Sequence, residues 1–292
     1  MSDAAEPARA AALLRAATAT LTAAGVPTPR TDAEQLLAAA CAVRRGAVAG
    51  LGDIDAAAAD RFRDLVRRRA ERVPLQHLTG RAGFRHLELA VGAGVFVPRP
   101  ETEVVAGAAI DAARAVAGGS PVVVDLCSGS GAIALAVAQE LPVARVHAVE
   151  LDADALRWLT RNAAARAAAG DPAITVHAGD ARTALPELDG TVDVVVSNPP
   201  YVPLEELDLV EPEVRDHDPR PALIAGHDGL DLIRHLALTA WRLLRPGGWF
   251  VVEHSDRQGE SVPGLLRTAG FTDVSDHRDL TDRPRYTRGR RS

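Results

Sequence analysis

Val122-Val123-Val124-Asp125-Leu126 runs straight into Cys127-Ser128-Gly129-Ser130-Gly131, and this strand entering a glycine turn restricts the fold more than any other feature. Glycines let the backbone approach a ligand closely, and a helix that follows them presents free N–H groups. The alternation continues down the chain. Further strands are expected at Val146 to Glu150, Thr175 to His177, Val192 to Ser197 and Trp249 to Glu253. Helices are expected between them at Ala132 to Glu140, Ala153 to Ala169 and Leu230 to Leu244. Strands separated by helices mean a doubly wound, mostly parallel α/β sheet. Phe271 to Arg285 reads as a further pair of strands at the sheet edge, and the arginine-rich stretch Arg283 to Arg291 as a disordered tail.

Upstream the pattern differs. From Ala8 to Arg72, Leu13, Leu14, Leu21, Leu36, Leu37 and Leu65 recur among alanine and charged residues, with turn signals at Gly25-Val26-Pro27 and Gly50-Leu51-Gly52. This predicts several short helices in a small N-terminal domain. Arg67-Arg68-Arg69 reads as a solvated helix end and not as a binding patch. Between Pro74 and Pro100 the segments are short and alternating. Phe84 to Leu89 and Val95 to Val97 read there as a β-hairpin or connector.

Composition sets the outer limits. The 292 residues allow two domains, and 47% hydrophobic with 25% charged residues describes an ordinary globular protein. Every basic residue is arginine, and the net charge of -6 argues against a main role on nucleic acid, whose binding rests on phosphate neutralisation. Two cysteines, Cys41 and Cys127, cannot make a disulfide framework, so a reducing compartment is expected. Asp3, Glu6, Arg9 and Arg15 interrupt any signal-peptide core, and no stretch reaches the ~20 apolar residues of a membrane helix. A cytoplasmic protein is the expectation. The nine histidines show no metal-ligand spacing, so no metal is expected.

A single Gly-x-Gly is shared by dinucleotide and S-adenosylmethionine sites, and Asp125 helps to separate them. A carboxylate at the lip of the loop repels a pyrophosphate but suits a ligand carrying an ammonium and a sulfonium. Glu150, ending the next strand, is placed for a ribose diol. Asp180, with Ala181, follows the third strand and is a candidate for the adenine end. Taken singly, Asp125 or Glu150 is an ordinary strand-end cap; all three after consecutive strands favour S-adenosylmethionine. Cys127 reads as a small residue in a tight turn, because no histidine motif accompanies it.

Asn198-Pro199-Pro200-Tyr201 follows the strand Val192 to Ser197. Its prolines lock φ and lack N–H donors, which leaves an arc of acceptors: backbone carbonyls and the Asn198 side-chain oxygen. Such an arc selects a donor, a planar –NH2 group, and Tyr201 adds a flat aromatic surface.

With these loops in view, the chain resembles the class I amino-methyltransferases. The connector sharpens this. Pro74-Leu75-Gln76-His77-Leu78-Thr79-Gly80, Phe84 and Val97-Pro98-Arg99-Pro100-Glu101-Thr102-Glu103 resemble the protein-(glutamine-N5) methyltransferases that modify peptide chain release factors, the HemK/PrmC group. Glu213-Val214-Arg215-Asp216, Pro219-Arg220, Asp228-Gly229-Leu230-Asp231, Leu244-Arg245-Pro246-Gly247-Gly248 and Glu253 with Gln258-Gly259-Glu260 agree with it. His77 stands where the group usually has tyrosine, and Cys127-Ser128 replaces its common Gly-Thr.

The resemblance implies a seven-stranded Rossmann-like methyltransferase sheet at residues 101–292, a β-hairpin connector at 76–100 and a helical substrate-recognition domain at 1–75. It implies an S-adenosylmethionine site from Asp125, Cys127, Ser128, Gly129, Ser130, Gly131, Glu150, Asp180, Ala181 and Asn198. Asn198 and Pro199 would orient a glutamine amide for catalysis, with Pro200 completing the motif, Tyr201 packed on the amide plane and Phe96 closing the other side. The implied partner is a class I release factor, met by a monomer without direct contact to nucleic acid. The rivals are a glutamine methyltransferase of a ribosomal protein, a nucleic-acid N-methyltransferase and an idle cofactor-binding module.

Overall fold

The computed structural model describes residues 8–117 and 119–292; Asp3 and Glu6 lie outside them. The chain divides into two compact units, one running up to Arg81 and taking in Glu211–His217, the other formed by Ala82–Val210 and Asp218–Ser292.

The first unit opens with a two-residue strand β1 (Ala8–Arg9), which pairs antiparallel with β2 (Asp53–Ile54). Around it stand the helices α1 (Ala10–Ala23), α2 (Pro29–Ala40), α3 (Ala56–Ala70) and α4 (Leu75–Thr79). Pro29 occupies the first turn of α2, where its missing N–H costs nothing, and the Asp55 carboxylate caps α3 by accepting from Ala58 N at 2.7 Å. Leu14, Leu21, Leu36, Leu37, Phe62 and Val66 face one another in the core.

The arginine run at the end of α3 is divided. Arg67 and Arg68 are exposed as the solvated reading expects, but Arg69 is buried. Its Nε donates to Asp32 Oδ2 at 2.7 Å, and its guanidinium meets Glu213 at 2.9 Å. Arg72 grips the same Glu213 with two bonds of 2.7 and 2.6 Å. The helical period decides this, because Arg69 falls on the stripe of Phe62 and Val66 while its two neighbours fall outside it.

The second unit begins with a hairpin, β3 (Arg81–Phe84) and β4 (Leu87–Ala90). Of the stretch read as a β-hairpin or connector, the hairpin is β3 and β4, and Val95 to Val97 forms no strand. Val95 and Val97 are buried with Ala82, Val91 and Ala155, and Trp158 packs against them. Next come α5 (Thr102–Arg114), β5 (Val122–Leu126), α6 (Ala132–Glu140), β6 (Arg145–Glu150), α7 (Ala153–Ala168), β7 (Thr175–Ala178) and β8 (Val192–Ser197). After α8 (Pro212–His217), which belongs to the first unit, follow α9 (Asp231–Leu243), β9 (Leu244–Glu253), α10 (Ser261–Thr268), β10 (Thr272–Arg278) and β11 (Pro284–Arg290).

Seven of these strands form one sheet in the order β10-β11-β9-β8-β5-β6-β7, parallel from β9 to β7 and antiparallel at β11 and β10. Val123, Val194, Val196 and Val251 point to the face covered by α5 and α6. Val124, Leu126, Val195, Phe250 and Val252 point to the face covered by α9 and α10. Apolar side chains on both faces explain the continuous valine runs, which alternation would not produce.

The tail reading is corrected. Pro284–Arg290 is strand β11, seated between β10 and β9, with Thr287 fully buried. Arg288 lies 5.0 Å above Trp249, and Arg291, just past the strand, lies 5.5 Å from Trp241, while Arg285 is largely buried against Asp279. The aromatic partners lie far away in sequence, so the local charge density alone read as disorder.

Arg69→Ala leaves the Asp32 carboxylate buried without its cation, while Arg72 still holds Glu213, which is predicted to cost about 3–5 kcal/mol. Hydrogen exchange of α2 and α3 amides checks this; Arg67→Ala is expected to leave their protection unchanged.

Candidate active site

Four strand ends converge. Leu126 of β5 pairs with Ser197 of β8 on one side and Val149 of β6 on the other, and Glu150 of β6 pairs with Ala178 of β7. Ser197 Oγ donates to the Leu126 carbonyl at 2.6 Å and locks the register. The glycine loop from Cys127, the carboxylate of Glu150, the Asp180 turn and the Asn198 loop therefore emerge side by side at the carboxyl edge. The chain proceeds from β5 toward β7 and then returns to β8 on the other flank, which makes β5 the switch point where ligands of such sheets sit.

Asp125 is buried, and its Oδ2 accepts from Ala134 N at 3.1 Å in the first turn of α6. Its Oδ1 is buried with no hydrogen-bond partner among the described residues. Burial pushes this carboxyl up to about 7, against the pull of Ser128 and the Ala134 N–H. A buried carboxylate oxygen without a donor is what a cationic ligand would satisfy. Burial also raises Glu150, although its two oxygens accept from Gly129 N and Asp152 N, both at 2.8 Å. Asp180 is gripped by Arg182 through Nε and the terminal nitrogen, which holds its carboxyl low; Ala181 beside it is buried.

The loop itself is tight. Cys127 has φ 63°, a left-handed conformation that costs a residue with a Cβ about 1–2 kcal/mol. Glycine at this place, the common residue of the group resembled, escapes that cost. Burial pushes the thiol well above its ordinary range, so it stays protonated and inert. Ser128 Oγ donates to the Asp125 carbonyl at 2.9 Å, and Ser130 is buried. Gly131 has φ 87°, a left-handed conformation that favours glycine, and a Cβ there would also crowd Leu159 Cδ1 at 2.6 Å. Asn162, which sequence reasoning missed, fastens the loop: its Nδ2 donates to the Ser130 carbonyl at 2.9 Å and the Ala90 carbonyl at 3.0 Å, and its Oδ1 accepts from Ala90 N.

At the end of β8, Pro199 is buried and Asn198 is half-buried. Asn198 Nδ2 donates to Thr102 Oγ1 at 3.1 Å, which turns Oδ1 the other way. The Tyr201 ring packs against the α9 side of the core, and its hydroxyl donates to Glu253 Oε1 at 3.2 Å. Burial, then Glu253, pushes that hydroxyl far up, so it remains a donor. Gln258 Nε2 holds the loop from behind, donating to the carbonyls of Tyr201 at 3.1 Å and Asp228 at 3.2 Å. Gly229 is needed here, because a Cβ would stand 2.2 Å from the Tyr201 carbonyl oxygen.

The Pro98-to-Glu103 segment is spent on positioning. Arg99 pairs with the buried Asp218 at 2.8 Å and lies over the Phe96 ring at 5.0 Å. Thr102 receives Asn198, and Glu103 accepts from Arg85 N at 3.0 Å in the hairpin turn. Asn162 carries no local signal, and Thr102 and Gln258 enter only through the resemblance, because each acts on a loop distant in sequence. Among the described residues no cluster of three His, Cys, Asp or Glu is able to hold a metal ion, and no helix is long and apolar enough to cross a membrane.

Comparison with known proteins agrees across the chain. Residues 12–80 match the model of the PrmC N-terminal domain, and residues 108–210 match that of the methyltransferase small domain. The release factor glutamine methyltransferase of Streptomyces coelicolor is 57% identical, covering 94% of this chain and 96% of that protein. The protein of the same name from Mycolicibacterium smegmatis is 49% identical and covers 94% of each. A 4-amino-L-phenylalanine/4-methylamino-L-phenylalanine methyltransferase of Streptomyces pristinaespiralis is 43% identical over 87% of this chain and 86% of its own. Among solved structures, the hMettl16 catalytic domain shares the fold at 16% identity, with a TM-score of 0.53 over 70% of this chain and 75% of that one. The chain belongs to the release factor glutamine methyltransferase (HemK/PrmC) family of class I methyltransferases.

Proposed function

We propose that this enzyme methylates the side-chain amide nitrogen of the glutamine in the Gly-Gly-Gln motif of class I peptide chain release factors, using S-adenosylmethionine. One observation carries the reading: the acceptor loop Asn198 to Tyr201 leaves β8 beside the carboxylate-lined glycine loop of β5, with the Asn198 amide nitrogen already engaged by Thr102. Its oxygen is left for an incoming –NH2.

Asp125, Glu150 and the glycine loop from Ser128 to Gly131 would hold the cofactor, with Asp180 and Ala181 at its adenine end. The bound cofactor supplies an activated methyl on a sulfonium, which leaves as a neutral thioether. The chain's own work is orientation. A glutamine nitrogen is a poor nucleophile, because its lone pair is delocalised into the carbonyl. Asn198 Oδ1 and the Pro199 carbonyl accept its two hydrogens, aim the nitrogen and push charge toward it. On transfer a new N–C bond would replace the S–C bond, and the nitrogen held by Asn198 and Pro199 would give up one proton to water. Pro200 keeps the loop rigid, Tyr201 and Phe96 border the amide, and the N-terminal helices recognise the protein substrate.

The relative from Streptomyces pristinaespiralis is named for an arylamine substrate, which also presents a planar –NH2. The protein reading is favoured by the match to the PrmC N-terminal domain at residues 12–80 together with near full-length similarity to the release factor enzymes. Incubation with methyl-labelled cofactor tests it, with purified release factor, ribosomes, nucleic acid and 4-amino-L-phenylalanine offered separately. Label on the release factor glutamine is expected; label confined to any other acceptor contradicts the proposal.

Asn198→Ala is predicted to lower kcat about 10²–10³-fold, the cost of one lost oriented group, while calorimetric cofactor affinity stays within about threefold. Asp125→Ala is predicted to weaken cofactor binding about 30-fold, the scale of one charged hydrogen-bond partner. Because Asp125 titrates near 7 in the free protein, binding a cation below that pH must first expel its proton. Cofactor affinity is therefore expected to fall about tenfold per unit as pH drops below 7, and to lose that dependence in Asp125→Asn. Calorimetry across pH 5.5 to 8.5, bounds chosen about 1.5 units either side of that value, reads both effects.

A further inference from the structure

We infer that the turn between β10 and β11, with Leu280 at its tip, is a docking contact for the release factor chain beside its target glutamine. The inference rests on the functional reading above and deepens it, because it concerns how the same site takes a protein substrate. Among the described residues six large apolar side chains are exposed, and four of them stand near the site. Leu151 directly follows Glu150, Leu204 and Leu209 follow the acceptor loop, and Leu280 lies in the β10–β11 turn. A lone exposed leucine is ordinary. Leu280, 94% exposed, is set apart by its place and by its support.

The place follows from strand direction. β9 runs parallel to β8, with Val252 opposite Ser197, and β11 runs back beside β9, with Tyr286 opposite Glu253. The residues before Pro284 therefore return to the edge where the acceptor loop emerges, and Arg278 opposite Pro284 closes the hairpin there. From β8 to β11 is two strand spacings, about 10 Å, and to β10 about 15 Å. Bonds link the strands along this rim: Tyr201 donates to Glu253, and the Arg285 carbonyl accepts from His254 N at 2.9 Å. The glycine loop of β5 lies on the opposite flank of β8, so the cofactor would fill that side and leave this one to the substrate chain. A glutamine held by Asn198 and Pro199 keeps its main chain within a side chain's length of the acceptor loop. An extended chain advances about 3.3 Å per residue, so about three to five residues carry it from the glutamine to the turn.

The support comes from Asp279, whose side chain is buried at the base of the turn. Its Oδ1 accepts from Thr281 N at 2.8 Å, Thr281 Oγ1 at 2.6 Å and Arg283 N at 3.3 Å. Its Oδ2 accepts from Arg285 Nε at 3.1 Å. Across the turn Asp279 N donates to the Arg283 carbonyl at 2.9 Å, and Asp282 N to the Asp279 carbonyl at 3.0 Å. These bonds turn Asp279 inward and fix the backbone on both sides of Leu280, which is left as the apolar projection. A turn ordered in advance gives its contact area without paying to order it on binding. Asp282 and Arg283 beside it are exposed and opposite in charge, so the tip offers an apolar contact, and an apolar side chain of the release factor is what it fits.

The test varies release factor concentration at saturating cofactor, with the full-length enzyme. Leu280→Asp and Leu280→Ser are expected to raise KM for release factor about 10- to 100-fold, the scale of burying one leucine, with kcat within about twofold. Calorimetric cofactor affinity and melting temperature are expected to hold, because the side chain stands in solvent in the free enzyme. Leu280→Met is expected to keep the wild-type KM, and Leu238→Asp, at an exposed leucine on α9, to leave it unchanged. Asp279→Ala keeps Leu280 but frees the turn, and is expected to raise KM in the same direction. A KM unmoved in both Leu280→Asp and Leu280→Ser overturns the inference. So does self-association of the wild type that Leu280→Asp abolishes without a change in KM, because the occupant is then a second copy of the chain. Label on release factor with KM unmoved removes the docking turn alone; no label on release factor from the wild type removes the functional reading and the inference with it.

Discussion

The parallel pairing of β5 with β8 is the constraint on which the site depends. Leu126 opposite Ser197 sets two unrelated loops at the same height, one lined by carboxylates, the other by acceptors. A shift of one residue would turn Asp125 and Ser197 to the opposite faces of the sheet. The Ser197 hydroxyl on the Leu126 carbonyl, and the Asp193 carboxylate accepting from Val122 N, hold that register from either end.

The site is built at some expense to stability. Asp125 and Glu253 are both carboxyls raised by burial to about 7, one under the glycine loop and one behind the acceptor loop. Each is destabilising when ionised, because the folded state prefers the proton that the unfolded state gives up near its ordinary value. The contribution each makes in acid is therefore lost as pH rises from that value toward 7. The left-handed Cys127 adds backbone strain beside them. Stored strain and poised charge at one rim, with the rest of the sheet sealed by valine, is the pattern of a working site.

Much of this is legible in the amino-acid sequence, for a physical reason. A strand that ends in a polar loop announces itself locally, so the ends of β5, β6, β7 and β8 are found by their apolar runs and the residues after them. Long-range partners leave no such mark. Thr102 lies 96 residues before Asn198 and Glu253 lies 52 after Tyr201, so neither pairing has a sequence signal. The same holds for Arg69, whose role depends on Asp32 and Glu213, and for β11, whose arginines read as a tail until Trp249 and Trp241 lie beneath them. Motif residues quoted only for their resemblance, such as Arg99 and Glu103, acquire a reason as the braces of Asp218 and the hairpin turn.

The central claim is geometric: the Asn198 loop receives a planar amide by its two hydrogens. A crystal structure of the enzyme with S-adenosylhomocysteine and a release factor domain carrying the Gly-Gly-Gln motif measures it directly. The account predicts the glutamine nitrogen about 3 Å from both Asn198 Oδ1 and the Pro199 carbonyl oxygen, with Asn198 Nδ2 still on Thr102. A glutamine whose carbonyl oxygen, and not its nitrogen, faces Asn198 would contradict it.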